Sequence, residues 1–179
     1  MRAPVVIVHP SWPWESKADL PSVTREATLE QCGLILARLA DEVEFGGKSF
    51  VVGPWVSRAS FLPQAVEEDI ARIAARAIHI KGGLGEENFH AAASDISRQL
   101  PDAAPIRLAG FWSNLCVHGV GCALQTYGHQ TKLNRDWTMA LHRLPADINS
   151  VDNRALPPIP SLQKVSAIEP GVERKGLSK

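Results

Sequence analysis

Val5-Val6-Ile7-Val8 is an unbroken run of branched apolar residues near the start of the chain. A run of this kind is typical of a strand that is buried on both faces, and such strands occur in parallel sheets. Further segments of strand length lie at residues 50–52, 77–80 and 106–109, which are largely apolar, and at residues 131–134. The chain therefore predicts a sheet whose strands are largely parallel.

Segments with helical periodicity separate these strands. Apolar residues spaced three and four apart predict a helix over about residues 23–44, and they are Leu29, Cys32, Leu36, Leu39 and Val43. Similar spacings predict helices after Pro63, over 89–100 and over 114–127. The alternation predicts an α/β fold: a doubly wound, mostly parallel sheet of five or six strands with helices on both faces.

The length of the chain, 179 residues, is that of one ordinary domain. The alternation of strands and helices decays after about Pro145, and three prolines follow close together at positions 157, 158 and 160. We therefore expect an α/β domain over residues 1–144 and a divergent C-terminal tail or docking arm over residues 145–179.

Charge and hydropathy exclude several classes of function. Nineteen Lys and Arg residues balance nineteen Asp and Glu residues, so the chain lacks the excess of positive charge that holds a protein on nucleic acid. It also lacks the roughly 18 consecutive apolar residues that span a bilayer, and its start is too short for a signal peptide. We expect a cytoplasmic protein that binds neither nucleic acid nor membrane, with three cysteines present as thiols.

Parallel sheets bind their ligands just past the ends of their strands, and the predicted strands place His9, Gly53, Lys81, residues 111–116 and residues 135–136 there. Two side chains among them are suited to chemistry: Lys81, and Cys116, which also stands at the start of a predicted helix. A helix N-terminus and a nearby Lys both favour a thiolate, so we expect a lowered pKa for Cys116. A nucleophilic thiolate with backbone N–H groups to hold an oxyanion is a coherent site for attack on a carbonyl group.

An alternative explanation needs no chemistry. A buried Cys at a strand–helix junction is commonly a small packing residue, and a Lys at a strand end is commonly solvated. We interpret Cys32 and Cys122 as packing residues. No zinc-finger spacing, P-loop or dinucleotide fingerprint is present, so we expect no metal and no cofactor.

Aromatic residues follow or flank the predicted strand ends. Five of them are candidates for the wall of a substrate pocket: Trp12, Trp14, Trp55, Phe61 and Trp112. Ordinary packing in the core or at its rim is the alternative.

Two segments of the chain resemble the isochorismatase-like cysteine hydrolases, a family that includes nicotinamidases and carbamoyl amide hydrolases. Ile78-His79-Ile80-Lys81 is similar to the family's strand that ends in a catalytic Lys. Gly110-Phe111-Trp112-Ser113-Asn114-Leu115-Cys116-Val117 is similar to its segment from Gly to Cys-Val. Asp136 falls where the family has an Asp after the fifth strand.

The resemblance implies roles for these residues. Cys116 would be the nucleophile that forms a covalent acyl intermediate, and Lys81 would be the supporting cation. His9 occupies the place of the family's Asp, and an imidazole can also accept a thiol proton. The resemblance further implies a cis peptide bond at Trp112–Ser113, beside the oxyanion site, and a homo-oligomer. The metal-binding Asp-x-His pattern of nicotinamidases is missing, so no metal is implied.

Two functions follow as expectations. The first is a cysteine hydrolase that acts through Cys116 on a small amide, carbamoyl or vinyl-ether-type substrate. The second is a catalytically inactive member of the same family that acts as a binding or oligomer-forming protein, because His9 replaces the acid.

Overall fold

The computed structural model describes residues 2–53 and 62–140 of the 179-residue chain. Strands and helices alternate along it, and a short 3-10 helix, Lys17–Asp19, separates the first two α-helices. The elements are β1 (Val5–Val8), α1 (Trp12–Glu15), α2 (Arg25–Phe45), β2 (Ser49–Val52), α3 (Gln64–Arg76), β3 (Ile78–Ile80), α4 (Glu86–Ser97), β4 (Pro105–Phe111), α5 (Cys116–Thr126) and β5 (Gln130–Met139).

The five strands form one sheet in the order β3-β2-β1-β4-β5, and every neighbouring pair is parallel. This arrangement confirms the predicted doubly wound α/β fold. The C-terminal tail or docking arm expected over 145–179 lies outside the described residues.

Side chains of β1 alternate between two hydrophobic cores, one on each face of the sheet. Val5 and Ile7 pack with α2 and α3, whereas Val6 and Val8 pack with α4 and α5. All four side chains are almost fully buried, which explains why the strand is apolar without interruption. From β1 the chain continues to β2 and β3, and helices α2 and α3 of these connections cover one face of the sheet. It then crosses to β4 and β5, and helices α4 and α5 cover the other face, so all the crossovers share one hand.

Helix α2 follows the predicted apolar stripe. Cys32, Leu36 and Leu39 are fully buried on its inner face. The helix ends at Phe45 and is followed by Gly46, where a Cβ atom would lie 2.1 Å from the carbonyl oxygen of Glu42. A larger residue would clash with the last turn, which makes this position a suitable helix end.

Strand β5 is longer than the predicted segment 131–134. Its register with β4 jumps from Leu108↔Leu133 to Gly110↔Thr138, so it contains a bulge. The Asn134 side chain accepts a hydrogen bond from the backbone N–H of Asp136 at 3.1 Å, which turns the backbone locally and interrupts the pairing. The expectation that Asp136 follows the fifth strand was therefore wrong, because the strand resumes beyond the bulge.

The carboxyl ends of β1 and β4 approach each other closely at Gly110. This residue has φ +106°, and a Cβ atom on it would lie 2.1 Å from the carbonyl oxygen of Val8. Only glycine combines that backbone conformation with so short an approach. Within residues 2–53 and 62–140, no helix has the length and apolar character needed to cross a membrane.

Candidate functional site at the carboxyl ends of the strands

The strand order reverses between β1 and β4. The connection that leaves β1 leads to β2 on one side of it, whereas the connection that leaves β4 leads to β5 on the other side. In open parallel sheets this switch point leaves a crevice outside the carboxyl ends of the two strands, where ligands bind. His9 leaves β1 at this edge, and residues 112–116 leave β4 beside it.

His9 is buried at the switch point. Its side chain is 2% exposed, and neither ring nitrogen has a hydrogen-bond partner in the described part of the chain. Burial lowers the pKa of His9 from 6.5 to about 4, because the charged imidazolium loses its hydration. The imidazole is therefore neutral in the resting site.

The backbone around His9 holds this ring in place. His9 adopts a left-handed conformation with φ 50°, which His tolerates better than most residues. Its N–H donates to the carbonyl oxygen of Val52 at 2.8 Å. Gly53 allows the ring to approach the next strand, since a Cβ atom there would lie 2.9 Å from Cδ2 of His9.

The turn after β4 is buried and hydrogen-bonded. Ser113 donates its N–H to the carbonyl oxygen of Met139 at 2.7 Å, and the carbonyl oxygen of Trp112 accepts bonds from Leu115 and Val117 at 3.0 and 3.3 Å. Trp112 and Ser113 are 2% and 5% exposed. The segment is thus held tightly against the sheet.

The cis peptide bond lies at Phe111–Trp112 rather than at the expected Trp112–Ser113. Both bonds lie between Phe111, the last residue of β4, and Ser113, whose N–H donates to the carbonyl oxygen of Met139. Trp112 contributes to the bond in both cases.

Cys116 is the first residue of α5 and is 4% exposed. Burial raises the pKa of its thiol to about 11, and the opposing effect of its own backbone N–H is smaller. The expected lowering of this pKa was wrong because loss of hydration outweighs the helix terminus. The resting thiol is neutral.

Lys81 lies at the same edge of the sheet but farther from the switch point. The register places Val8, Val52 and Ile80 in one row, so His9, Gly53 and Lys81 follow in the next. Neighbouring strands are about 4.8 Å apart, which puts the Lys81 backbone about 10 Å from that of His9. Its side chain is exposed and forms no ion pair with any residue that the structure describes.

The structure brings His9 and Cys116 to adjacent strand ends without a hydrogen bond between them in the described chain. Lys81 is separated from the end of β4 by β2 and β1. The site therefore has its predicted residues along one edge, and the side chains form no preassembled catalytic triad.

The predicted pocket aromatics occupy different environments. Trp12 is half-buried with its ring 5.7 Å from that of His9, so it remains a candidate wall residue. Trp14 is 3% exposed and packs edge-on against Phe111 in the core. Trp55 and Phe61 lie outside the described residues.

Sequence analysis missed two buried polar residues at this edge. The Ser11 hydroxyl donates to the Glu15 carboxylate in the turn after His9, and Asn114 is 6% exposed before α5. Their positions directly after two central strands were the available signal. Among residues 2–53 and 62–140, no group of His, Cys, Asp and Glu side chains could hold a metal ion.

Comparison with known proteins gives no family assignment. No protein-family model matches the chain, and no curated protein matches it. Among solved structures, the chain is similar to one described as "Putative MAR1 ribonuclease from Leishmania major", with 15% sequence identity and a TM-score of 0.47. The match covers 76% of this chain and 64% of that one, and a likeness of this degree carries no argument about activity.

Proposed function

We propose that the crevice between the carboxyl ends of β1 and β4 binds a small molecule and that Cys116 hydrolyses it. The substrate class is a small amide, carbamoyl or vinyl-ether-type compound, as the resemblance implies. The observation that carries the proposal is a neutral, buried His9 with two unpartnered ring nitrogens beside the strand end that leads to Cys116. Unpartnered buried polar atoms are rare, and ligand contact is one reason for them.

The resting protonation states constrain the reaction for an amide or carbamoyl substrate. A thiol pKa of about 11 and an imidazole pKa of about 4 disfavour a preformed thiolate–imidazolium pair. His9 must therefore take the Cys116 proton while the sulfur attacks the carbonyl carbon, as a general base. The C–N bond then breaks, the amine leaves with that proton, and water cleaves the acyl thioester to release the acid and regenerate the thiol.

Two further groups support the developing charge. Leu115 and Val117 already donate their N–H groups to Trp112, which leaves the backbone N–H of Cys116, the first residue of α5, to donate to the oxyanion. Lys81 adds a positive charge at the same edge of the sheet. This charge favours the developing negative charge from a distance, without contact between Lys81 and the substrate.

A second candidate function is a catalytically inactive binding or oligomer-forming protein. It is favoured by the neutral thiol and by the lack of a hydrogen bond between Cys116 and His9 in the described residues. The same crevice would then hold its ligand without cleaving it.

A hydrolase panel of small amides, carbamoyl compounds and vinyl ethers tests the first candidate. The variants are Cys116→Ala and, as the matched control, Cys122→Ala, which removes a half-buried thiol from the same helix. Loss of the nucleophile should lower the rate by about 10³-fold or more, whereas the control should keep its rate. Equal rates in wild type and Cys116→Ala would overturn the nucleophile.

The second candidate is supported if the wild-type protein binds panel compounds in a thermal-shift assay but cleaves none. His9→Asp then tests the cause, because a carboxylate restores the residue type of the resembled family. Turnover by His9→Asp would attribute the inactivity to His9. A folded, binding and still inactive His9→Asp protein would contradict that attribution.

A further inference from the structure

A cavity of about 780 Å³ lies at the opposite edge of the sheet, around the amino ends of β4 and β5. Arg107, Gln125, His129 and Lys132 contribute polar side chains to its lining. Its volume is in the range of small-molecule pockets. Because all strands run in parallel, this cavity is separated from the switch-point crevice by the length of β4.

Two cations stand side by side in this cavity. Arg107 and Lys132 are direct register partners on β4 and β5, so their side chains project from the same face of the sheet. Like charges in directly opposed positions repel each other and destabilise the pair of strands. An anion between them would convert this repulsion into attraction.

The described residues neutralise only part of this charge. Glu42 on α2 binds the Arg107 guanidinium at 2.7 Å and lies 3.7 Å from the guanidinium of Arg2. Lys132 forms no ion pair within residues 2–53 and 62–140. Glu42 is thus shared by two guanidinium groups, and Lys132 has no acidic partner among the described residues.

Hydrogen-bond donors remain available in the cavity. Arg107 uses Nε and Nη2 to bind the carbonyl oxygen of Ala3 at 3.1 and 3.0 Å, which leaves Nη1 for another acceptor. The ammonium of Lys132, at an exposed position of β5, provides further donors at the cavity wall.

We propose that this cavity binds a small molecule through a phosphate or carboxylate group placed between Arg107 and Lys132. Both groups present several negatively charged acceptor oxygens, which suit a fixed guanidinium and a mobile ammonium. This site is independent of the chemistry proposed for Cys116.

Calorimetric titration at constant ionic strength tests the site, with pyrophosphate and citrate as the probes. Lys132→Gln removes one cation from an exposed position of β5, and Arg135→Gln removes one from the same strand outside the cavity. Loss of a charge-assisted hydrogen bond should weaken binding by about tenfold or more in Lys132→Gln. The control Arg135→Gln should bind with nearly wild-type affinity.

Preference for pyrophosphate would assign a phosphate ligand, and preference for citrate would assign a carboxylate. Equal weakening in both variants would overturn the site, because it would reveal only a general effect of net charge. Failure of the wild-type protein to bind either probe at millimolar concentration would overturn it as well. Thermal melting of both variants verifies that each remains folded.

Discussion

At the scale of single residues, burial controls the charge of the candidate site. His9 and Cys116 are both nearly inaccessible to solvent. Burial lowers the pKa of His9 and raises that of Cys116, and both shifts favour the neutral side chain. Lys81, which is exposed, keeps its solvent contact at the same edge. The site therefore combines neutral reacting groups with a positive charge near its rim.

The buried His9 should make folding stability depend on pH. Its pKa is about 4 in the folded protein and near 6.5 in the unfolded chain, so the unfolded chain binds more protons between those values. Stability is then complete above about pH 6.5 and is lost as the pH falls toward about 4. We expect this residue to cost about 2 kcal/mol between pH 7 and pH 5, as measured by urea unfolding.

The matched variants are His9→Gln, which removes the buried imidazole, and His90→Gln, which removes an imidazole that is 43% exposed on α4. His9→Gln should flatten the pH dependence in this window, whereas His90→Gln should leave it unchanged. A pH dependence that survives in His9→Gln would show that other groups cause it.

The sequence predicted where the site residues lie in the fold, but it did not predict their protonation states. His9, Lys81 and Cys116 follow strands whose apolar runs are plain in the sequence, so their common edge could be predicted. Their protonation depends on side chains that surround them in space, and a single sequence does not give that burial. The same limit applies to Trp14, which the fold places in the core.

At the scale of secondary-structure elements, two glycines within helices, Gly119 and Gly33, differ in how closely their surroundings are packed. A Cβ atom on Gly119 of α5 would lie 2.4 Å from ring carbons of Phe89 on α4. A Cβ atom on Gly33 of α2 would have no neighbouring heavy atom within 4 Å. Close contact between α4 and α5 therefore depends on Gly119, and Gly33 serves no comparable packing role.

The two alanine substitutions should change stability in opposite directions. Gly119→Ala forces the buried Phe89 ring to move and should lower the free energy of unfolding by about 1–3 kcal/mol. Gly33→Ala reduces the freedom of the unfolded chain and should raise it by about 0.5–1 kcal/mol. Urea unfolding of both proteins measures the difference, and a stabilised Gly119→Ala protein would contradict the packing between α4 and α5.

Element order could be predicted from apolar periodicity, but irregular positions could not. The period of two that identifies a strand is lost in the bulge of β5, so the predicted segment stopped at Asn134. The bulge depends on the pairing of β5 with β4 and on the hydrogen bond that the Asn134 side chain accepts from the N–H of Asp136. Such a feature depends on pairing between strands that are distant in sequence.

At the scale of the whole molecule, the sheet divides into a central and a peripheral part. β1 has partners on both sides, β2 and β4, and its four side chains are at most 1% exposed. Within the described chain, β3 and β5 pair on one side only. The candidate hydrolytic crevice lies at the most enclosed strands, and the proposed anion cavity lies toward the periphery.

Hydrogen exchange should reproduce this division. Each amide of β1 faces one of two paired neighbouring strands, so its exchange needs the centre of the sheet to open, which approaches global unfolding. The outward-facing amides of β5 have no strand partner among the described residues, and the bulge at Asn134 weakens its pairing with β4. Mass spectrometry of peptic peptides should therefore find exchange in β5 at least about tenfold faster than in β1. Equal protection of the two strands would contradict this prediction and show that the outer edge of β5 is covered in solution.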